Sequence, residues 1–149
     1  ISLFFIVLFV SISILKITIS EEVLNPLCLL MNKPREGVVC FNHGLRMDVP
    51  FDKRNISGWH QDTFNDEAYH DYKAGITIWM PVLPVSPKNG SLIICLKSHN
   101  ERVGRFAEKK DGDYASLSYN IPESIRNNFE QTQITMNRGD LLLLSMNLI

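Results

Sequence analysis

Cysteine is scarce in this chain. Cys28, Cys40 and Cys95 stand far apart in 149 residues, an odd count that argues against a disulfide framework and against a Cys-rich zinc site. A reducing interior is the expected compartment, so the protein is expected to be cytoplasmic. An excess of one charge is also missing. Fifteen Lys and Arg face 16 Asp and Glu, for a net charge of -1. That leaves no electrostatic case for nucleic acid or an anionic membrane surface. No Gly-rich phosphate loop and no Gly-x-Ser-x-Gly occurs, so neither phosphate cradling nor a hydrolase nucleophile has a sequence basis. No internal repeat or low-complexity tract appears.

Charge is absent altogether from the first fifteen residues, and Lys16 is the first charged side chain. A transmembrane helix needs about 20 apolar residues, so Ile1 to Leu15 is borderline. It reads as a buried helix or strand, as a membrane anchor or signal core, or as a product of where the chain was cut. A membrane contact would have to run through residues 1–19. The chain starts at Ile1 and stops in an apolar run at Ile149, and it is expected to be a fragment of a longer protein.

Ser20 to Met31 has a helical start, with Ser20 as N-cap and Glu21 and Glu22 in the first turn. Pro26 is expected to shorten or kink that helix. Residues 33–37 form a turn, and Val38 to Met47 reads as strand. Further strand runs follow at Gly75 to Val85, Ser91 to Lys97 and Leu141 to Ile149. Tyr114 to Tyr119 reads as a short strand, and Ile121 to Asn128 as a loop or helical turn. Glu130 to Met136 alternates, with Thr132, Ile134 and Met136 on one face. Turns at residues 84–90 and 137–140 separate these runs. The expected architecture is mainly β, a double-sheet jelly roll with an N-terminal helical segment, divided into residues 1–37 and 38–149.

The chemistry-bearing stretch is Trp59-His60-Gln61-Asp62. On a strand, His60 and Asp62 would point to one face. An imidazole nitrogen beside a carboxylate oxygen supplies two ligands of the facial site that holds non-haem Fe(II). The competing reading is a chance His-x-Asp on a solvent-facing strand. For Trp79 the competing reading is core packing, and for Gln61 an exposed polar residue. His70 among Asp66, Glu67 and Asp71 reads better as a solvated loop than as a second metal cluster. His43 reads as structural, Arg46 as a surface residue, and Cys40 and Cys95 as buried packing.

Four features in fixed order resemble the phytanoyl-CoA dioxygenase-like (PhyH) family. They are Trp59 to Asp62, the strand Gly75 to Val82 carrying Trp79, Asn89-Gly90-Ser91-Leu92 followed by Leu96-Lys97-Ser98-His99, and Gly139-Asp140 before an apolar strand. Lys97 stands where the family usually has Gly. The resemblance implies a cupin-like double-stranded β-helix and Fe(II)- and 2-oxoglutarate-dependent oxygenase chemistry. It makes His60 and Asp62 metal ligands, and it places Gln61 and Trp79 at the 2-oxoglutarate co-substrate. Trp59 and Phe64, flanking the ligands, would help keep water out. The implied partners are O2 and a small-molecule or acyl-type substrate. The family's third ligand is a His ten residues beyond the Asp of the Gly-Asp turn. Counted from Asp140 it falls at position 150, and the Arg that pairs with the distal carboxylate of 2-oxoglutarate lies further on. The chain as given holds two protein ligands and is expected to turn over poorly or not at all. The alternatives are a catalytically inactive β-sandwich binding module of the same fold and a cupin-type metalloenzyme that needs no oxo acid.

Overall fold

The computed structural model describes residues 12–40, 44–46, 57–62, 75–101, 103, 107–108 and 118–149. The chain divides into two compact units, Ile1–Val49 and Pro50–Ile149.

The first unit carries two helices, α1 (Ile12–Thr18) and α2 (Glu21–Met31), and a 3-10 turn at Arg35–Gly37. Lys16 lies within α1, so the apolar N-terminal run ends in helix rather than strand. Among the described residues no helix is long and apolar enough to cross a membrane, and residues 1–11 lie outside them. Ser20 precedes α2 in extended conformation, with Glu21 and Glu22 in the first turn. The helix is not shortened at Pro26, and α2 runs on to Met31. A proline there removes one helical hydrogen bond, at about 3 kcal/mol. Burial of Val23 and Leu27, one turn apart, works against that loss. So does the left-handed cap at Asn32, whose N–H reaches back to the carbonyls of Cys28 and Leu29. The strand expected over Val38 to Met47 is not found at residues 38–40 or 44–46. Val39 and Cys40 are exposed there, contrary to the expected burial of Cys40. β-branched residues favour strand only where a neighbouring strand offers a surface to pack on.

The second unit is an antiparallel ribbon folded back on itself. Its strands are β1 (Ile76–Trp79), β2 (Ile93–Cys95), β3 (Ala107–Glu108), β4 (Ser118–Tyr119), β5 (Gln131–Gln133) and β6 (Leu142–Ser145). The pairs nest, with β1 on β6, β2 on β5 and β3 on β4. Ile76↔Ser145 and Trp79↔Leu142 share one register with the isolated bridge Val85↔Met136. Ile93↔Gln133 and Cys95↔Gln131 share a second with Ala107↔Tyr119. The register steps between the two sets because residues 86–92 on one arm face only 134–135 on the other. A turn takes up the excess: Asn89 Oδ1 accepts from the Ser86 amide at 2.7 Å, and Asn89 Nδ2 donates to the Pro84 carbonyl at 2.8 Å. Gly90 closes that turn at a φ of 90°, a conformation glycine adopts without strain. In β5, Thr132 is half-buried between exposed Gln131 and Gln133, and Met136 is buried, as the alternation predicts.

Behind the ribbon sits a small core of Cys95, Ile121 and Ile149, against which Trp59, Val103, Ile125 and Phe129 pack. The short helix α3 (Glu123–Arg126) follows Ile121. Ile149 is tied in at both of its backbone groups. Its N–H donates to Ser98 Oγ at 2.9 Å, and its carbonyl accepts from the Cys95 amide at 2.7 Å. Every sheet among the described residues has two strands.

Candidate functional site

Residues 57–62 join no sheet, and the backbone bends at Trp59 and Asp62, so the expected strand at His60 and Asp62 is a loop. It is nevertheless held from both sides. The Trp59 carbonyl accepts from the Ile121 amide at 2.7 Å. Trp59 turns into the core cluster, with the Arg126 guanidinium stacked over its ring at 4.7 Å. Arg126 is itself fixed by Nε donating to the Ile121 carbonyl at 3.0 Å. Trp59 thus packs on the core cluster, and Phe64 lies outside the described residues.

Gln61 is buried on the same side as Trp59. Its Nε2 donates to the carbonyls of Glu101, at 2.8 Å, and Asn147, and its Oε1 accepts from the Val103 amide at 3.0 Å. Both amide protons are thus committed to backbone. The side chain ties the segment to Glu101, to Val103 and to the stretch that follows β6.

His60 and Asp62 emerge on the other face. His60 Nδ1 lies 2.6 Å from the Gly58 carbonyl. A carbonyl only accepts, so Nδ1 carries a proton, and in the neutral ring Nε2 holds a lone pair. That Nε2 stands 3.4 Å from Asp62 Oδ1. The other carboxylate oxygen, Oδ2, accepts a hydrogen bond from Thr77 Oγ1 at 2.6 Å. When Nε2 also carries a proton and donates to Oδ1, the His60 contact, first, and the Thr77 hydroxyl hold the Asp62 carboxyl below its usual range, against the opposing effect of partial burial.

The donor set suits a cation. Two acceptors facing each other need either a proton or a metal ion between them, and metal binding to a histidine displaces its proton. Two donors about 2.1 Å from one metal lie about 3.0 Å apart at a right angle and about 3.4 Å apart at a tetrahedral angle. The pair stands 3.4 Å apart, the tetrahedral spacing and about 0.4 Å wider than the right-angle spacing, and side-chain exposures of 41% and 39% leave both groups reachable. Among the described residues no group of three or more His, Cys, Asp or Glu could hold a metal.

Trp79 shares a strand with Thr77, two residues on, and so projects from the same face of β1. Because Thr77 touches Asp62, that face is the one turned toward the ligand pair, and Trp79 stands about 7 Å further along it. Thr77 pairs with Leu144 and Trp79 with Leu142. Thr77 was not singled out from the sequence. The signal available was its period-2 spacing from Trp79. Arg46 is exposed; His43, Asp66, Glu67, His70 and Asp71 lie outside the described residues.

A sequence model of the family described as Phytanoyl-CoA dioxygenase (PhyH) matches residues 22–149. Searches of curated proteins and of solved structures gave no match. The matched stretch contains His60, Asp62, Thr77, Trp79 and the whole described ribbon. The family has a cupin-like fold and is one of Fe(II)- and 2-oxoglutarate-dependent oxygenases. The chain belongs to the phytanoyl-CoA dioxygenase family.

Proposed function

We propose that this chain is the ligand-bearing part of an Fe(II)- and 2-oxoglutarate-dependent dioxygenase that hydroxylates a small-molecule or acyl-type substrate. The observation that carries the reading is the convergence of His60 Nε2 and Asp62 Oδ1 at 3.4 Å inside the family match. The nested pairing of β1 to β6 supports a double-stranded β-helix, because that fold is a long antiparallel ribbon coiled on itself.

In this reading His60 and Asp62 hold the iron. When bound, the iron supplies oxidative decarboxylation of the 2-oxo acid coupled to oxygenation of a substrate C–H bond. The chain's own groups do the rest. Gly58 fixes the His60 tautomer, so that Nε2 rather than Nδ1 is offered to the metal. Trp79 forms an apolar wall against which 2-oxoglutarate packs and from which water is excluded. Gln61 serves the co-substrate from behind, by holding residues 101, 103 and 147 around the ligand segment. Asn147 lies one hydrogen bond from Gln61, so the chain after β6 runs beside that segment. A His at position 150 would complete the three-residue set.

The test is oxygen consumption by the full-length protein, with and without Fe(II) and 2-oxoglutarate. Uptake that requires both, with a metal-to-ligand absorption band, is expected. Uptake without the oxo acid would make the protein a cupin-type metalloenzyme of another kind. No uptake and no absorption band would leave a binding module of the same fold. Reading the codon after Ile149 checks the third ligand directly, and any residue other than His there overturns the simple form of the proposal.

A further inference from the structure

Asp62 offers its two oxygens to different partners. Oδ2 receives the Thr77 hydroxyl at 2.6 Å, and Oδ1 faces His60 Nε2 at 3.4 Å. The hydroxyl comes from the middle of β1, where Thr77 is paired across the ladder with Leu144. A β-branched side chain on a paired strand has little χ1 freedom, so the hydroxyl is anchored by the sheet. Asp62, by contrast, sits on a loop that no ladder holds. A carboxylate on such a loop can bind a metal through one oxygen or through both.

We propose that Thr77 is a positioning residue that keeps Asp62 a one-oxygen ligand. The hydroxyl engages one lone pair of Oδ2 and fixes the carboxylate plane, so that Oδ1, on the His60 side, is the oxygen offered to the metal. One coordination position that a two-oxygen carboxylate would fill then stays open for the co-substrate. The inference rests on the reading of His60 and Asp62 as a metal pair, and it adds a residue fifteen positions away that takes no metal itself.

The test titrates Co(II) alone into the full-length protein and into Thr77→Val, which keeps the shape and loses the hydroxyl. Loss of an outer partner of a metal ligand typically costs about 10- to 100-fold in metal affinity, and a loss in that range is expected. Thr77→Ser is expected to stay within about threefold of wild type, because its hydroxyl still reaches the carboxylate. The visible Co(II) spectrum reports coordination number, and it is expected to shift in Thr77→Val as Oδ2 swings onto the metal. A purely structural threonine would not move that signal. In turnover, the KM for 2-oxoglutarate should rise more than kcat falls. Should Thr77→Val melt early, the titration is made below its unfolding transition, and Thr77→Ala must then rank with it rather than with Thr77→Ser. Unchanged affinity and spectrum in Thr77→Val, with binding abolished in His60→Ala, would overturn the role of Thr77 and leave the metal pair standing. Co(II) binding that survives His60→Ala would overturn both.

Discussion

One short segment shows two different kinds of structure on its two faces. Trp59 and Gln61 look inward. They end in contacts that are packed, stacked or hydrogen-bonded to backbone on three sides. His60 and Asp62 are partly exposed, His60 Nδ1 against the Gly58 carbonyl, Asp62 Oδ2 against the Thr77 hydroxyl, and Nε2 and Oδ1 facing each other. The inner face carries the binding energy of the fold and keeps no ligand capacity in reserve. The outer face keeps its ligand capacity and contributes little to folding. Bends at Trp59 and Asp62 let four consecutive residues do both, because they turn Trp59 and Gln61 into buried contacts and leave His60 and Asp62 partly exposed.

The largest expected effect breaks the inner face. Gln61→Leu keeps much of the volume but strands the carbonyls of Glu101 and Asn147 and the amide of Val103. An unpaired buried polar group costs about 1–3 kcal/mol. Because some of these groups regain water, the sum is about 3 kcal/mol, or a Tm lower by roughly 10 °C. Urea unfolding measures it, and a change below about 0.5 kcal/mol would show that the tether is idle. The next effect breaks the outer face. Asp62→Ala should lower Co(II) affinity by about 100-fold or more, equivalent to about 2.7 kcal/mol, while leaving stability within about 1 kcal/mol. If Asp62→Ala unfolds the protein as readily as Gln61→Leu, the division between the faces fails.

Cys95 gives a chemical reporter of the same division. It is fully buried in the cluster that Trp59 covers. Burial pushes its thiol pKa up, opposed in part by the Arg126 charge, so little thiolate forms and little is reachable. Iodoacetamide should modify exposed Cys40 first and leave Cys95 untouched until the protein opens. In Gln61→Leu the protection of Cys95 should shorten, and in Asp62→Ala it should not. Equal protection in both variants would mean that the inner face does not depend on the amide tether.

The outer face was readable from the sequence because two residue types at a spacing of two suffice to define it. The nested ribbon was readable as separate apolar runs cut by Gly, Pro and Asn turns, and the runs around β1, β2, β5 and β6 fell where the strands are. What could not be read were relations across long sequence distances. Nothing near Thr77 announces Asp62, fifteen residues earlier, and nothing near Gln61 announces Asn147. Nothing near Trp59 announces its packing on Cys95, Ile121 and Ile149, far along the chain. The strand expected over residues 38–47 had the right composition, but composition does not supply a pairing partner. Cys40 shows the same error, since an apolar setting in sequence was taken for a buried one.

The smallest effect concerns Lys97, which stands where the family usually has glycine. Its backbone is left-handed, with φ 64° and ψ 3°, and that explains the family's preference. A side chain in that region costs about 1–2 kcal/mol. The position leads into the 3-10 turn at Ser98–Asn100, which delivers the Ser98 hydroxyl to Ile149 and so closes the core beneath Trp59. Lys97 is exposed, so its side chain gives little packing back. Lys97→Gly should therefore relieve strain on the inner face. Part of the gain is lost to the greater freedom of glycine in the unfolded chain, about 0.5–1 kcal/mol. The net gain should be about 0.5–1 kcal/mol, or a Tm higher by roughly 2 °C, with Co(II) affinity unchanged. Lys97→Ala should show no gain, since alanine keeps the Cβ that makes the conformation costly. A thermal melt in which Lys97→Gly is less stable than wild type would mean that the turn draws more from the lysine side chain than from a relaxed backbone.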